Sequence, residues 1–474
     1  MGQLPEQFYA QWRAQGHPPL SLREGIPIPP EKLAQKIWLH QRLKRDELKS
    51  LNGEPIRVLH PGFWNHEAGP DFKGAVIQFG NAAPQVGDVE IDSRLGDWRG
   101  HQHAGNPNYR GVILRVIWPR ATKPLEIPSI PILSLEGSLD APLEELHTLL
   151  GPEALRTVLE PGRCGSPLAQ LPAETRRELL QQAGQIRLQR KASDLEGIAR
   201  RLGWEQALWQ GLFTALGYKQ NSWPMRSLAE TLPSLTSKQG ATDGTTMQAR
   251  LFGLAGFLTE PKAGQNQTRR LWDHWWRDRA ALQPLVLPHE AWKFRGLRPA
   301  NHPQRRLALA SHWLANAGLF KRLESWFTQT GATEELAGQL AKLLDPGADA
   351  FWNRHATLHS KPLAAPVKML GETRATDLAI NVILPWFWVR ARAGGNRKLQ
   401  TRAEQLYREW PMAEDNAVLK LARQRLFGST SASATKTAAE QQGLLQIVRD
   451  FCEHSNALCD HCRFPDLVRA IRPR

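Results

Sequence analysis

Asp71 and Lys73 in GPDFKG, Asp88, Glu90 and Asp92 in VGDVEID, and His101 and His103 in GHQH all fall between Gly69 and Val116. Strand residues two apart share a face at roughly 6–7 Å spacing. Asp88, Glu90 and Asp92 are therefore expected on one face and Val89 and Ile91 on the other, while Asp71 and Lys73 share a face of the preceding segment. If these segments pair, an Asp, a Glu and a Lys converge above a sheet. Such a group holds Mg²⁺ or Mn²⁺, and the ion activates water and neutralises charge on a phosphodiester. Asp71 and Glu90 are the expected ligands, with Asp92 as a third. The competing reading is a solvated acidic edge strand, which keeps sheets from aggregating. His101 and His103 would point to one side of an extended segment, where they complete a metal site or act as acid and base near neutral pH; hydrogen-bonded loop histidines are the alternative.

Four short runs bounded by Gly, Pro or Asn must position these groups: PIRVLH, FKGAVIQF, VGDVEID and GVILRVIW. They read as strands, and the apolar periodicity of EKLAQKIWLHQRLKRDELKSL predicts a helix from about Glu31 to Leu51 ahead of them. This order, helix, three strands, crossover, strand, resembles the core of the PD-(D/E)XK nucleases. The resemblance implies a restriction-endonuclease-like mixed sheet in which Asp71 and the Glu90-Ile91-Asp92 triplet stand where that superfamily carries its Mg²⁺-binding Asp and E-x-K. The chain departs at Asp92, which stands in place of Lys. A carboxylate cannot serve as the cation, so that role passes to Lys73, Arg94, His101 or His103.

A second resemblance spans most of the chain. HPGFWNHEAGPDF, GDVEIDSRLGDWRGHQH, GVILRV, LGYKQN, LFGLAGFL, FRGLRPANHPQRR and the terminal cysteine run, in that order, look like the bacterial domain-of-unknown-function family 2851. That likeness bears on architecture more than on mechanism, and the family pattern carries His where this chain has Asp92.

Cysteine forms the other constellation. Cys452, Cys459 and Cys462 make a C-x₆-C-x₂-C run in FCEHSNALCDHC, and Cys164 is the only other cysteine. Four thiolates suit Zn²⁺ or a [4Fe-4S] cluster, and a tight C-x₂-C chelates more readily than it forms an unstrained disulfide. His454 or His461 in place of Cys164 would favour zinc; unmetallated thiols and a redox pair are the other readings. A distant Cys closing on a terminal triplet resembles the iron–sulfur staple of some PD-(D/E)XK nucleases, with the order changed because Cys164 follows the acidic strand.

Charge and aromatic content point to a polyanionic partner. The formal net charge is +15 and 18 residues are Trp. Trp interleaved with Arg can stack on bases while arginines hold phosphates; the plainer reading is that most Trp side chains pack helices. Arg295, Arg298, Arg305 and Arg306 in FRGLRPANHPQRR are the candidate nucleic-acid contacts, and DNA and RNA stay equally open. No helix-turn-helix, RNP or phosphate-loop signature occurs. The absence of an apolar run near 18 residues and of a basic-apolar leader disfavours a membrane or secreted protein, and sparse cysteine suits the cytoplasm.

The expected organisation is an α/β module at 1–145 with the acidic and histidine site, a Pro/Gly-rich joint at 146–172, and a mainly helical basic region at 173–474. The leading functional expectation is a divalent-metal-dependent nuclease or nuclease-like processing protein. A non-catalytic nucleic-acid-binding protein retaining the core, and a cytoplasmic interaction scaffold, are the alternatives.

Overall fold

The computed structural model describes residues 4–5, 7–15, 29–65, 69–93, 106–119, 130–150, 163–236, 243–262, 265–294, 297–316, 318–415, 417–428, 434–452 and 462–471. Six strands form one mixed sheet: β1 Ile56–His60, β2 Phe63–Trp64, β3 Phe72–Phe79, β4 Gln85–Asp92, β5 Val112–Ile117 and β6 Ile132–Ser134. Their spatial order is β1-β3-β4-β5-β6, with β2 beside β3. β1, β3 and β4 run antiparallel; β5 lies parallel to β4 and β6 parallel to β5. Parallel neighbours require crossover connections, and here these run largely through residues outside the described set.

Period-two alternation buries both faces of this sheet. Val58, Ala75, Ile77, Val89 and Ile91 pack with Leu33, Ile37 and Trp38 of the Glu31–Leu39 helix. Leu59 and Val76, one residue out of phase with Val58 and Ala75, join the large helical core on the other face. The expected helix to Leu51 ends at Leu39, and the chain then turns into irregular structure with Gln41 at φ +48°. The sheet also carries a bulge: register slips between Phe72 and Ala75, where Gly74 adopts φ +67° and its N–H donates to Asp88 Oδ1 at 3.1 Å. Glycine admits that backbone without strain.

From residue 163 onward, the described secondary structure is predominantly helical, as the sequence texture predicts. The span expected as a joint, 146–172, takes in the end of the Leu143–Leu150 helix and the Gly165–Gln170 helix. The 30-residue Ala173–Leu202 helix crosses Ala438–Ile447 at a pair of glycines, Gly184 and Gly443. A Cβ at Gly443 would collide with the Leu180 carbonyl, and one at Gly184 would lie 2.5 Å from the Ala439 carbonyl oxygen. Gly443→Ala must therefore push the helices apart, and the expected cost is about 1–3 kcal/mol, read as a lower urea midpoint. An unchanged midpoint would show that this close approach is not needed. A third apolar cluster ties the two ends of the chain together: Leu4 and Tyr9 pack with Leu179, Leu180, Leu444, Phe464 and Leu467. Among the described residues no helix is long and apolar enough to cross a membrane.

Candidate functional site

Asp71 lies one residue before β3 and Glu90 lies on β4, and each side chain stitches the other's strand. Asp71 N–H donates to Glu90 Oε2 at 3.0 Å, and Asp71 Oδ2 accepts from the Ile91 N–H at 3.0 Å. From the N-terminal helix, Gln35 Nε2 donates to Asp71 Oδ1 at 2.9 Å and to Glu31 Oε1 at 3.1 Å. Glu90 is 7% exposed. Glu31, Gln35 and Tyr109, on the turn Pro107–Tyr109, are site members that the acidic motifs do not reveal. Only the i, i+4 spacing of Glu31 and Gln35 at a helix start hints at two of them.

Burial dominates the electrostatics. Desolvation, reinforced by the charges of Glu31 and Asp92, lifts the Asp71 carboxyl to about 7 against the opposing Ile91 hydrogen bond. Desolvation and then the Asp71 charge lift Glu90 to about 8. Tyr109 is pushed up to about 12, first by desolvation and then by Glu90 and Asp71. Both carboxyls thus titrate near neutrality, where one can donate while the other accepts.

Asp92 does not join them as a ligand. It is 3% exposed and accepts from Arg115 Nη2 on the adjacent parallel strand at 3.0 Å. Asp88 caps the bulge at Gly74. Lys73 is exposed and forms no ion pair with these carboxylates among the described residues. His101 and His103 lie outside the described residues.

These positions correct the expected metal chemistry. Among the described residues, no group of three or more His, Cys, Asp or Glu side chains is arranged to hold a metal ion. Both Asp71 oxygens already accept N–H donors and Asp92 is committed to Arg115, so Asp71, Glu90 and Asp92 do not form the expected Mg²⁺ or Mn²⁺ site. The Zn²⁺ or [4Fe-4S] site at Cys164, Cys452, Cys459 and Cys462 is corrected on the same finding. Cys164 is buried among Leu168, Leu179 and Leu426, where it packs as a small apolar side chain. Cys462 packs against that cluster; Cys459 and the Cys452 side chain lie outside what is described.

The basic candidates divide. Arg295 lies outside the described residues. Arg298 is exposed and pairs with Glu414 at 3.2 Å. Arg305 and Arg306 are buried: Arg305 donates to the carbonyls of Val367 and Lys368, and Arg306 to the Met369 carbonyl, the Tyr218 hydroxyl and Asn301 Oδ1. These last two arginines hold a loop to a helix and present little to a phosphate.

A different surface combines Arg with Trp. The Asn266–Leu282 helix buries Thr268, Leu271 and Trp275. Helical spacing then places Arg269, Trp272, Trp276 and Arg279 along another face. Trp276 is 58% exposed, its ring centroid 5.6 Å from that of Trp272 and 5.1 Å from the Arg279 guanidinium carbon. Arg269, Arg270, Arg277 and Arg279 are exposed, as is Asp273, whereas Asp278 is taken by Arg250 at 2.6 Å. By contrast Trp38, Trp352, Trp386 and Trp410 are fully buried core residues, as the plainer reading of the tryptophans expects.

Fold and site together define a mixed-sheet module, with a buried carboxyl pair, followed by a mainly helical basic region. The chain belongs to the family described as protein of unknown function (DUF2851), whose model matches residues 31–417. That span runs from the helix carrying Glu31 and Gln35 past the Arg–Trp stripe, while the cysteine run from Cys452 falls beyond it. No curated protein and no solved structure matches the chain.

Proposed function

We propose that this protein binds single-stranded nucleic acid along the Arg269–Trp272–Trp276–Arg279 stripe, using a nuclease-like sheet as scaffold. The observation that carries the reading is Trp276, a large indole left 58% exposed with a guanidinium over its ring. Bases of any sequence stack on such a platform, and flanking arginines neutralise the backbone. The formal net charge of +15 adds long-range attraction for a polyanion. An antiparallel β1-β3-β4 meander followed by a parallel β5 across a crossover supports the restriction-endonuclease-like reading of the module. Commitment of Asp92 to Arg115 favours binding over metal-dependent cleavage.

The test is fluorescence anisotropy of labelled single-stranded DNA and RNA with wild type and Trp276→Ala. Losing one stacking partner is worth about 1–3 kcal/mol, or roughly 5–150-fold in Kd, and the exposed position leaves the fold intact. Equal affinity in the two proteins would sink the stripe as the binding face.

A second reading, metal-independent hydrolysis by the Asp71–Glu90 pair, is favoured by the two adjacent carboxyls that titrate near neutrality. Strand cleavage in the presence of EDTA that disappears in Glu90→Gln supports it. Intact strands leave binding as the function.

A further inference from the structure

Between the edge strand β1 and the Ser222–Glu230 helix lies a cavity of about 410 Å³, lined on its polar side by Arg45, Arg57, Gln210, Arg226 and Glu230. Its size falls within the range of small-molecule sites, roughly 300–1,000 Å³. None of its lining residues belongs to the Arg–Trp stripe or to the Asp71–Glu90 pair.

Three guanidiniums meet one carboxylate here. Arg45 takes Glu230 in a fork, Nε to Oε1 at 2.7 Å and Nη2 to Oε2 at 3.2 Å. Arg226 Nε stands 3.4 Å from the same Oε1, yet off hydrogen-bonding alignment, so it is buried without a hydrogen-bond partner. Arg57, on β1, feels the Glu230 charge and forms no ion pair with it among the described residues. The other nearby acids are already engaged: Asp140 and Asp194 by Arg42, and Asp46 by Arg201. Arg201 also holds Glu47, so those acids are matched by their own arginines and the imbalance is local: Arg45, Arg57 and Arg226 crowd the single carboxylate of Glu230.

A second, independent feature borders the same space. Gln210 is 2% exposed, its Nε2 has no hydrogen-bond acceptor among the described residues, and the residue lines both this cavity and the neighbouring one beside Lys191 and Asn381. Leaving a buried amide donor unmade costs about 1–3 kcal/mol, a cost removed when a ligand oxygen occupies the cavity. Elsewhere the walls are apolar, with Ile56, Leu202 and Leu285 among them. An inorganic anion would leave that part of the cavity unfilled.

We propose that this cavity is a binding site for a small organic anion, whose phosphate or carboxylate sits between Arg57, Arg226 and Gln210 and whose apolar body rests on Ile56, Leu202 and Leu285. The crowding of guanidiniums on one carboxylate is mirrored in the titration of the arginines. Burial first, and then the neighbouring Arg45, hold Arg226 down to about 10, and burial with Arg45 also lowers Arg57. A bound anion relieves that repulsion.

The phosphate and carboxylate sources separate by calorimetric titration of the full chain with adenosine monophosphate, octanoate and inorganic phosphate. The expected result is saturable binding of one of the two organic anions, with inorganic phosphate weaker. Arg57→Gln, which removes no ion pair among the described residues, is expected to weaken that binding at least about tenfold; Gln210→Leu, which keeps volume and deletes the orphaned amide, should weaken it also while Tm stays at or above that of wild type. Binding of the nucleotide alone assigns a phosphate ligand, and binding of octanoate alone assigns an acyl carboxylate. Absence of saturable binding for both organic anions, or equal affinity in wild type and Arg57→Gln, overturns the proposal.

Discussion

Asp92→Ala is expected to destabilise the protein by about 3–5 kcal/mol, because it removes the carboxylate that pairs with the buried Arg115 guanidinium. The pair is buried on both sides, with side-chain exposures of 2% for Asp92 and 9% for Arg115, and its partners lie on neighbouring parallel strands. Desolvation of two charges has already been incurred there, so removing Asp92 takes from Arg115 the carboxylate that offsets it. Urea denaturation of the variant should show a lower midpoint with an unchanged slope. Replacing both residues by Leu and Met should recover most of the loss, because an apolar pair of similar volume carries no desolvation cost. A full-stability Asp92→Ala protein would contradict the structural assignment and return that carboxylate to functional use.

Glu90→Gln is expected to act in the opposite direction, and increasingly as pH rises from about 4.5 to about 8. In the folded chain the Glu90 carboxyl is raised from 4.5 to about 8 by desolvation first and by the Asp71 charge second. The folded protein therefore retains a proton that the unfolded chain has released across this window. Its contribution to stability is complete below about pH 4.5 and declines as pH rises through about 8, where the folded group finally ionises. At about 1.4 kcal/mol per pH unit the window from 4.5 to about 8 gives at most about 5 kcal/mol, and partial solvent screening brings the expected gain of Glu90→Gln over wild type near pH 9 to roughly 2–4 kcal/mol. Near pH 4, with Glu90 largely neutral in both states, the two proteins should differ little. Gln keeps an oxygen to accept the Asp71 N–H, so the hydrogen bond at 3.0 Å survives the exchange. Thermal denaturation of both proteins across this pH range decides the matter: parallel profiles would mean that Glu90 is already ionised in the folded protein at neutral pH.

Much of the architecture was legible in local patterns, while the partners of individual charges were not. Strict alternation in VGDVEID places Val89 and Ile91 in the core, and the bounded β-branched runs mark four of the six described strands, β1, β3, β4 and β5. Gly443 and Gly184, by contrast, look like ordinary helix interruptions until two helices approach closely enough to exclude a Cβ. Asp92 shows the limit most clearly. Its alternation with Glu90 suggests a shared ligand face, but its environment is set by the parallel register with β5, which lies across a connection whose path no local pattern encodes. The Arg within the apolar run GVILRV was the one available signal, because a buried cation requires a buried partner. Arg305 and Arg306 illustrate the same point in reverse: a basic cluster in sequence reads as surface, yet here two of its members bridge to carbonyls inside the fold. Clustered cysteines failed for a related reason, since chain spacing reports what can chelate and not what side chains surround each thiol. Trp276 was hidden by its neighbours: WDHWW gives no indication that Trp275 is buried and Trp276 exposed until the helix is docked.

Binding of single-stranded nucleic acid along the Arg–Trp stripe is tested most directly by its salt dependence. Anisotropy titrations of a labelled single strand across a range of salt concentrations give the slope of log K against log salt, which is about −0.7 per phosphate neutralised for single strands. Engagement of Arg269, Arg270, Arg277 and Arg279 predicts a slope near −2 to −3, tighter binding to single strands than to duplex, and a slope shallower by about 0.7 in Arg279→Gln. Absence of binding at low salt, or a slope unchanged when Arg279 is replaced, would contradict it.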